Sequence, residues 1–279
     1  MNNDANTRLL EHFQMSECTW HYPPPSTLII AAHCDDEVIG MGAQLPKLPR
    51  VKLLHVTDGS PRSLCDAKRL GYDSRESYAS ERRKEFHAAL DLAGIPASES
   101  FTLCFVDQEV SFHMVELATS IARIIQELKP EVIVTHPYEG GHPDHDSTAL
   151  GVHMASRLME MQDIVPPGIV EMTSYHNCGG TMAVSDFLPK NTQPIVTVPL
   201  KDEEISFKQR LFGCFVTQQM VLKWFEIAVE RFRPAPQYDF TQPPHEGALY
   251  YDLFDWGVTS VQWVTLAREA LATLNREAK

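Results

Sequence analysis

Two short stretches hold the side chains of this chain that are best suited to chemistry. Residues 31–37 bring one imidazole and three carboxylates together, and residues 136–146 bring three histidines and three carboxylates around a Gly-Gly pair. Carboxylates crowded at the edge of a core repel one another unless a cation lies among them or one of them holds a proton. The two stretches therefore predict a cation site.

The residue types within these stretches predict which chemistry the cation would support. A catalytic zinc site has three N/O protein ligands and a water, and His33, Asp36 and His145 supply two imidazoles and a carboxylate. Such an ion lowers the pKa of its water to about 7. Asp35, next to Asp36, is the candidate base, and His142 is the candidate donor to an oxyanion. This set predicts metal-assisted hydrolysis of a carbonyl group.

Each stretch follows a short aliphatic run, which indicates a buried strand. Along the first half of the chain such strands alternate with amphipathic helices, which predicts an α/β, Rossmann-like, mostly parallel sheet with helices on both faces. Ligand sites in these sheets lie at the carboxyl ends of the strands. We therefore expect His33, Asp58 and His136 at one sheet edge, and the metal site there.

The patterns also place individual elements. Strands are predicted at residues 26–33, 51–57, 100–106 and 131–135, with further candidates at 170–175 and 195–198. Helices are predicted at residues 38–48, 78–93, 113–129, 144–161, 202–225 and 258–274. The polar segment 61–77 is long for a connection, so we expect it to cover a site.

Length and charge limit the classes of function. The 279 residues suit a single domain, 1–279, with the motifs in 26–165 and residues 166–279 completing the strands and helices. The net charge of −13 disfavours general nucleic-acid binding. Neither a signal peptide nor an apolar run of about 18 residues is evident. Six cysteines without a Cys-x-x-Cys pair predict reduced thiols and a cytoplasmic protein.

The motifs resemble those of the PIG-L/LmbE-like family of zinc-dependent N-acetylglucosaminyl deacetylases. The matching segments are Ala32-His33-Cys34-Asp35-Asp36-Glu37, Gly40-Met41-Gly42, Thr57-Asp58-Gly59, Gly141-His142-Pro143-Asp144-His145 and, on a helix, Arg82-Arg83-Lys84-Glu85. Lys208 to Gln218 is similar to a later family helix. The resemblance covers about residues 26–220.

The resemblance implies a role for each matching residue. His33, Asp36 and His145 would bind Zn²⁺ or another divalent metal, and Asp35 would be the general base. His142 would stabilise the oxyanion or act as an acid, and Asp144 would orient or tune His142. Arg82 would contact the substrate, with Asp58 beside it. The implied activity is removal of an N-acetyl group from an N-acetylglucosamine-type sugar or glycoconjugate, and the implied assembly is a homo-oligomer.

Two positions depart from the family pattern. Cys34 stands where the family has a proline, and Gly140 stands where some members have a tyrosine that helps to polarise the carbonyl. That role is either missing here or filled from elsewhere, with Tyr138 as the candidate.

Two other classes of function use similar residues. A non-haem iron oxygenase also uses two histidines and a carboxylate, although such enzymes are often built on a jelly roll rather than on alternating strands and helices. A catalytically inactive sugar-binding relative would share the fold, but the presence of Asp35 and His142 favours an enzyme. Release of acetate from an N-acetylated sugar would distinguish the three.

Overall fold

The computed structural model describes residues 2–15, 23–189 and 192–277, and nine strands occur in these residues. They are β1 (Thr27–Ala31), β2 (Val51–Pro61), β3 (Ser100–Asp107), β4 (Val132–Thr135), β5 (Gly168–Met172), β6 (Tyr175–Cys178), β7 (Thr181–Val184), β8 (Val196–Pro199) and β9 (Val229–Pro234). Seven strands form one sheet in the order β3-β2-β1-β4-β5-β9-β8, and β6 and β7 form a separate hairpin.

The helices of the described residues fill the connections between the strands. They are α1 (Asn2–Gln14), α2 (Asp36–Met41), α3 (Cys65–Arg69), α4 (Arg75–Ala93), α5 (Met114–Leu128), α6 (Pro143–Glu160), α7 (Asp202–Cys214), α8 (Gln219–Leu222) and α9 (Ser260–Glu277). None of these helices combines the length and apolar character needed to cross a membrane.

Five neighbouring strands, β3 to β5 in the sheet order, are parallel, and β9 and β8 add antiparallel pairings at one side. Successive residues of β1 pack on opposite faces of the sheet. Leu28 and Ile30 pack in a cluster with α5 and α6, whereas Ile29 and Ala31 pack in a cluster with α1, α2, α4 and α7. The predicted fold class, with helices on both faces of a mostly parallel sheet, is confirmed.

The strand order reverses between β1 and β4. From β1 the chain moves outward through β2 and β3, and it then returns to β4 on the other side of β1. At such a switch point the connections leave the sheet in opposite directions, so that a crevice opens at the carboxyl ends of the strands. The two stretches that predict the cation site leave β1 and β4, so both lead into this crevice.

Several predicted boundaries were wrong, among them the end of β2, which extends to Pro61 instead of ending at residue 57. The helix expected at 38–48 is α2 followed by a 3₁₀ turn at Leu45–Lys47, which contains Pro46. The helix expected at 202–225 ends at Cys214 and continues as a 3₁₀ turn and α8. Just after this break, the carboxylate of Glu85 accepts hydrogen bonds from the backbone N and the hydroxyl of Thr217 at 2.7 and 2.6 Å. The segment expected as a loop at 61–77 contains α3 and the first turn of α4.

Sequence patterns missed the β6–β7 hairpin and β9. The hairpin turns at Gly179-Gly180, both of which have positive φ, and a Gly-Gly pair between short strands is a hairpin signal. The Gly-Gly pair is visible in the sequence, but the strands on either side have only four residues each, too few for an alternation of apolar and polar residues to be recognised. The five cysteines within the described residues are free thiols, and Cys18 lies outside those residues.

Candidate metal centre

Three predicted donors meet at the switch point. The Nδ1 atom of His33 lies 3.2 Å from Nε2 of His145 and 3.3 Å from Oδ2 of Asp36, and Nε2 of His145 lies 3.1 Å from Oδ1 of Asp36. All three side chains are buried. A tetrahedral ion with ligands at about 2.0–2.2 Å keeps them about 3.3–3.5 Å apart. The spacing therefore fits one small divalent ion, and the role of these residues as its ligands stays a prediction.

The turn after β1 fixes the Asp36 carboxylate. Its Oδ2 accepts a hydrogen bond from the backbone N of His33 at 2.7 Å. Burial opposes ionisation of Asp36, but the imidazoles of His145, His136 and His33 outweigh burial, so the pKa of Asp36 lies well below its usual value. The carboxylate is thus held in the form that binds a cation.

Neighbouring groups orient the ring of His145. Its Nδ1 lies 3.2 Å from the hydroxyl of Ser174, which leaves Nε2 facing Asp36. The ring of His136 stacks on it, with centroids 4.0 Å apart and an interplanar angle of 9°. His136 itself accepts a hydrogen bond at Nε2 from the backbone N of Ala32 at 3.0 Å. Partners of this kind fix the tautomer and the direction of a ligating imidazole.

The third carboxylate of the first stretch does not belong to the donor set. Glu37 points into the core beneath the site, where its Oε2 lies 2.9 Å from Nε2 of His55. Both side chains are fully buried. Glu37 therefore joins α2 to β2, and only Asp35 and Asp36 face the crevice.

Asp35, the candidate base, occupies the N-cap position of α2 but makes no capping hydrogen bond. Its Oδ2 accepts a hydrogen bond from Nη2 of Arg82 at 3.2 Å. Burial raises the pKa of Asp35 to about 6, which Arg82 opposes and Asp36 reinforces. A carboxyl group with this pKa can take up and release a proton near neutral pH.

His142 is held as a neutral hydrogen-bond donor. It caps α6, because its Nδ1 accepts a hydrogen bond from the backbone N of Asp144 at 3.1 Å. Burial and the neighbouring His33 lower the pKa of His142 to about 3, although Asp144 acts in the opposite direction. A neutral imidazole that accepts at Nδ1 carries its proton on Nε2, which suits the role of oxyanion donor better than that of a charged acid.

Asp144 hydrogen-bonds to His142 through its backbone N, while its carboxylate has other partners. Its carboxylate accepts hydrogen bonds from the backbone N atoms of Gln108 and Val110 at 2.6 and 3.2 Å. Its Oδ2 lies 3.4 Å from Nε2 of His33 but 4.0 Å from Nδ1 of His142. Asp144 therefore anchors the end of β3 and faces His33 more closely than His142.

Asp107 is a residue of the site that sequence reasoning missed. It is the last residue of β3, and its Oδ1 lies 3.3 Å from Nε2 of His33. Burial acts against ionisation, but His33 lowers the pKa of Asp107 to about 2. The signal was available, because Asp107 is the first polar residue after the predicted third strand, at the edge where the other site residues were placed.

We predict that Asp107→Asn weakens metal binding about 10- to 100-fold, the usual cost of losing a carboxylate that orients a ligating histidine. Competition with a chromophoric chelator measures the dissociation constant. Glu109→Gln is the matched control, since Glu109 lies two residues further on and pairs with Arg62 at the surface. Equal affinity in the parent and in Asp107→Asn would contradict this role.

Arg82, expected to bind substrate, is buried in the cavity wall and uses both terminal nitrogens within the protein. Nη1 donates to the carbonyl oxygen of Gly59 at 3.0 Å, and Nη2 donates to Asp35. Arg82 therefore binds the candidate base Asp35, and its contact with substrate stays a prediction.

This pairing changes the expected effect of removing Arg82. Because Arg82 lowers the pKa of Asp35, Arg82→Met should raise that pKa further, so that the base ionises only at higher pH. An opposite charge at such a distance typically lowers a carboxyl pKa by one to three units. We therefore predict that the acidic limb of kcat/KM moves upward by about one pH unit or more. Arg83→Met, on the exposed side of the same helix, should leave the limb in place, and an unmoved limb in both variants would contradict the pairing.

Asp58 does not reach the crevice. Its carboxylate pairs with Nη1 of Arg75 and accepts from the backbone N of Ser60. It lines a smaller cavity of 250 Å³, whereas its neighbour Gly59 lines the larger cavity that contains the donors. Adjacent residues of a strand face opposite sides, so Asp58 and the crevice lie on different sides of β2.

Some family members have a tyrosine at the position of Gly140, and the structure shows which tyrosine of this chain lies near the donors instead. A side chain at Gly140 would be strained, because φ is +73° and a Cβ would lie 2.7 Å from the side chain of Leu249, which would have to move. Tyr138 is buried away from the crevice and donates its hydroxyl to the carbonyl oxygen of Gln242 at 2.9 Å. Tyr175 does line the crevice, with its ring 5.4 Å from the ring of His145. Tyr175, at the start of β6, is therefore the tyrosine placed beside the donors.

The donors line the inner part of a cavity of 670 Å³, a volume in the range that encloses a drug-sized ligand. The same cavity is lined by the charged residues Asp35, Arg82 and Asp107. Its uncharged polar groups include Gln108 and Gln218. The cavity thus combines three candidate metal donors, a carboxylate of raised pKa and a neutral imidazole donor, a set that suits hydrolysis of an amide.

Comparison with known proteins supports the resemblance stated from the motifs. Residues 28–156 match the family described as PIG-L, GlcNAc-PI de-N-acetylase. This range contains both histidine stretches as well as Arg82 and Asp107. The predicted resemblance to the PIG-L/LmbE-like family is confirmed.

One curated relative and two solved structures illustrate the likeness. A 1D-myo-inositol 2-acetamido-2-deoxy-alpha-D-glucopyranoside deacetylase 2 from Catenulispora acidiphila is 31% identical over 149 residues, which are 44% of this chain and 48% of the relative. This chain thus matches about half the length of that relative. The structure of an A40926 pseudoaglycone deacetylase is 20% identical over 77% of this chain and 98% of its own, with a TM-score of 0.58. The zinc inhibited form of a teicoplanin deacetylase is 19% identical over 76% and 98%, with a TM-score of 0.56. The two structures share the fold.

Proposed function

We propose, from the match of residues 28–156 to the PIG-L family, that this chain is a metal-dependent hydrolase that removes an N-acetyl group from an N-acetylglucosamine-type sugar or glycoconjugate. The observation that carries the proposal is the mutual spacing of 3.1–3.3 Å among His33, Asp36 and His145 at the switch point. The curated relative, a deacetylase of a glucosamine-containing substrate, supports the same reaction class.

The proposed ligands are His33, Asp36 and His145. Zinc suits two imidazoles and a carboxylate, and other divalent ions bind the same donor types. When bound, the ion would act as a Lewis acid on the carbonyl and lower the pKa of water. The related teicoplanin deacetylase has a zinc inhibited form, so the metal that supports activity here has to be found by testing several ions.

Asp35 is the proposed proton carrier. Its carboxylate takes a proton from the attacking water, and its pKa of about 6 lets it hold that proton at neutral pH only while the reaction needs it. The same proton then passes to the amine as the C–N bond breaks. Arg82 keeps the carboxylate of Asp35 in place through the 3.2 Å hydrogen bond.

His142 is the proposed donor to the carbonyl oxygen. Its Nδ1 is occupied by the backbone N of Asp144, so Nε2–H is the group available to the cavity. As the carbonyl oxygen gains negative charge in the transition state, this fixed donor stabilises it without reorganisation. The products are acetate and a free amine, and together they account for all atoms of the amide and the water.

Acetate release from metal-loaded protein tests the proposal. The stripped protein would be reloaded separately with Zn²⁺, Co²⁺, Mn²⁺ and Fe²⁺ and offered N-acetylglucosamine, its glycosides, chito-oligosaccharides and amino-sugar conjugates under anaerobic conditions. We expect acetate and amine in equal amounts without oxygen, which excludes the oxygenase alternative. Stoichiometric metal with no acetate from any substrate would contradict the proposal and favour a binding protein.

A further inference from the structure

Large apolar side chains line the outer part of the cavity and remain open to solvent. The lining includes two groups of them, Met220 and Val221 of α8 with the following Trp224, and Phe254 with Trp256. Trp224 is 63% exposed, Met220 55% and Phe254 44%. Exposed apolar patches beside a cavity mark binding sites more often than chance. We refer to these five residues as the outer wall.

The outer wall is continuous with the candidate catalytic groups. The ring of Trp256 packs on His142 with centroids 4.7 Å apart, and Phe254 stacks on Trp256 at 4.6 Å with an interplanar angle of 12°. Aromatic surface thus extends from the proposed oxyanion donor to the cavity mouth. A molecule whose amide lies at the donors would place its remaining part against this surface.

Hydrogen bonds hold the segment that carries α8 in position. The side-chain amide of Gln219 donates to the carbonyl oxygens of Phe212 and Phe215 at 2.7 and 3.0 Å. Gln218 donates to the hydroxyl of Tyr78 at 2.8 Å. The backbone that carries Met220 and Val221 is therefore held in place before a ligand binds, so binding does not have to order it.

The residues that line the cavity offer little to hold an anionic group. Outside this lining, the ammonium of Lys223 contacts the wall, with Nζ 5.1 Å from the ring centroid of Trp224 and 3.9 Å from Sδ of Met220. Among the described residues that line the cavity, Arg82 is the only lysine or arginine, and it is buried against Asp35. Asp66 also lines the cavity and pairs with Arg69. Recognition of a phosphate needs an arginine, a lysine or a cluster of backbone N–H groups. The outer wall offers apolar and aromatic surface instead.

We propose that the substrate is amphipathic and that an uncharged apolar or aromatic group linked to the sugar, its aglycone, packs against the outer wall. The proposal rests on the proposed deacetylase function. We assign the wall to the part of the substrate beyond the sugar, and a longer N-acyl chain is the alternative that the test below separates.

A series of glycosides tests this inference. Acetate release would be compared for the methyl, phenyl and octyl glycosides of N-acetylglucosamine, each below its aggregation concentration. We expect kcat/KM for octyl and phenyl to exceed that for methyl about tenfold or more, since an apolar group of this size gains at least that factor on burial. In Trp224→Ala combined with Met220→Ala, the octyl-to-methyl ratio should fall below about threefold. In Phe112→Ala, an exposed aromatic that does not line the cavity, the ratio should match that of the parent.

A binding measurement separates this inference from the deacetylase proposal. Titration calorimetry of metal-free protein with octyl and methyl glucosaminide requires no turnover, and we expect tighter binding of the octyl compound in the parent and loss of that difference in the double variant. Equal binding of both compounds would overturn the inference while acetate release still supports the enzyme. Tighter octyl binding without any acetate release would support the wall and overturn the enzyme. Two other outcomes would overturn the inference. One is higher kcat/KM for a glycosyl phosphate of N-acetylglucosamine than for its octyl glycoside. The other is higher kcat/KM for an N-octanoyl methyl glycoside than for the N-acetyl octyl glycoside.

Discussion

Replacing Asp35 with asparagine is expected to lower kcat by at least about a hundredfold while the protein keeps its metal, because general-base catalysis contributes about 10²–10⁴ to a rate. The amide has nearly the shape of the carboxyl group but cannot accept a proton from water. Steady-state acetate release at saturating substrate gives kcat, and elemental analysis of the same sample gives the metal content. Both values are needed, because loss of metal would lower kcat for a different reason.

Two further variants isolate the chemical role of Asp35. Arg82→Met keeps the carboxylate and removes its cation, so it should retain more activity than Asp35→Asn and recover at higher pH. Arg83→Met controls for a charge removed from the same helix. Near-parental kcat in metal-replete Asp35→Asn would remove Asp35 from the mechanism, and so would loss of metal in Asp35→Asn with full metal in Asp36→Ala.

The partners of the two neighbouring aspartates explain why we expect different outcomes. Asp36 faces three imidazoles, with oxygen–nitrogen distances of 3.1–3.3 Å. Asp35 faces one guanidinium at 3.2 Å and the open cavity. Adjacent carboxylates in one turn thus have a cation-binding environment and a proton-exchanging environment, and the pKa of Asp36 falls while the pKa of Asp35 rises.

The first half of the fold was predictable because its signals are local. Strands buried on both faces are short aliphatic runs, and β1 and β4 stand out for that reason. Polar residues that directly follow such runs must lie at the carboxyl edge of a parallel sheet. His33, Asp36 and His145 could be brought together by this rule before any distance was known.

Other features depend on distant partners that no local pattern specifies. Asp58 follows the predicted strand 51–57, but it lies within β2, and strand alternation turns it toward Arg75 instead of the crevice. Glu85 binds Thr217, more than a hundred residues away, just after the end of α7. The antiparallel strand β9 lies between β5 and β8, and its buried Glu230 pairs with Lys208 of α7 at 2.8 Å. Such pairings are decided by the assembled fold.

The second large effect that we expect is loss of metal when a proposed ligand is replaced. Asp36→Ala and His33→Ala should each weaken metal binding by more than about a hundredfold, beyond the 10- to 100-fold cost of losing a residue that only orients a ligand. Removal of either leaves two donors where a catalytic site needs three. Dialysis against a weak chelator followed by elemental analysis should then find far less than one ion per chain. Activity should return only partly, if at all, when metal is added in excess.

Asp36→Ala also removes the acceptor for the backbone N of His33, so loss of metal has to be separated from loss of fold. Near-ultraviolet circular dichroism of the metal-free parent and of the variant should agree, because the hydrophobic clusters on both faces of β1 do not include Asp36. His113→Ala is the matched histidine control, since His113 lies at the exposed start of α5, away from the donors, and its side chain contacts Glu116 and Phe105. A folded His33→Ala protein that retains one tightly bound ion per chain would exclude His33 from the ligand set and would place the ion on another group of donors, such as Asp36, His136 and His145.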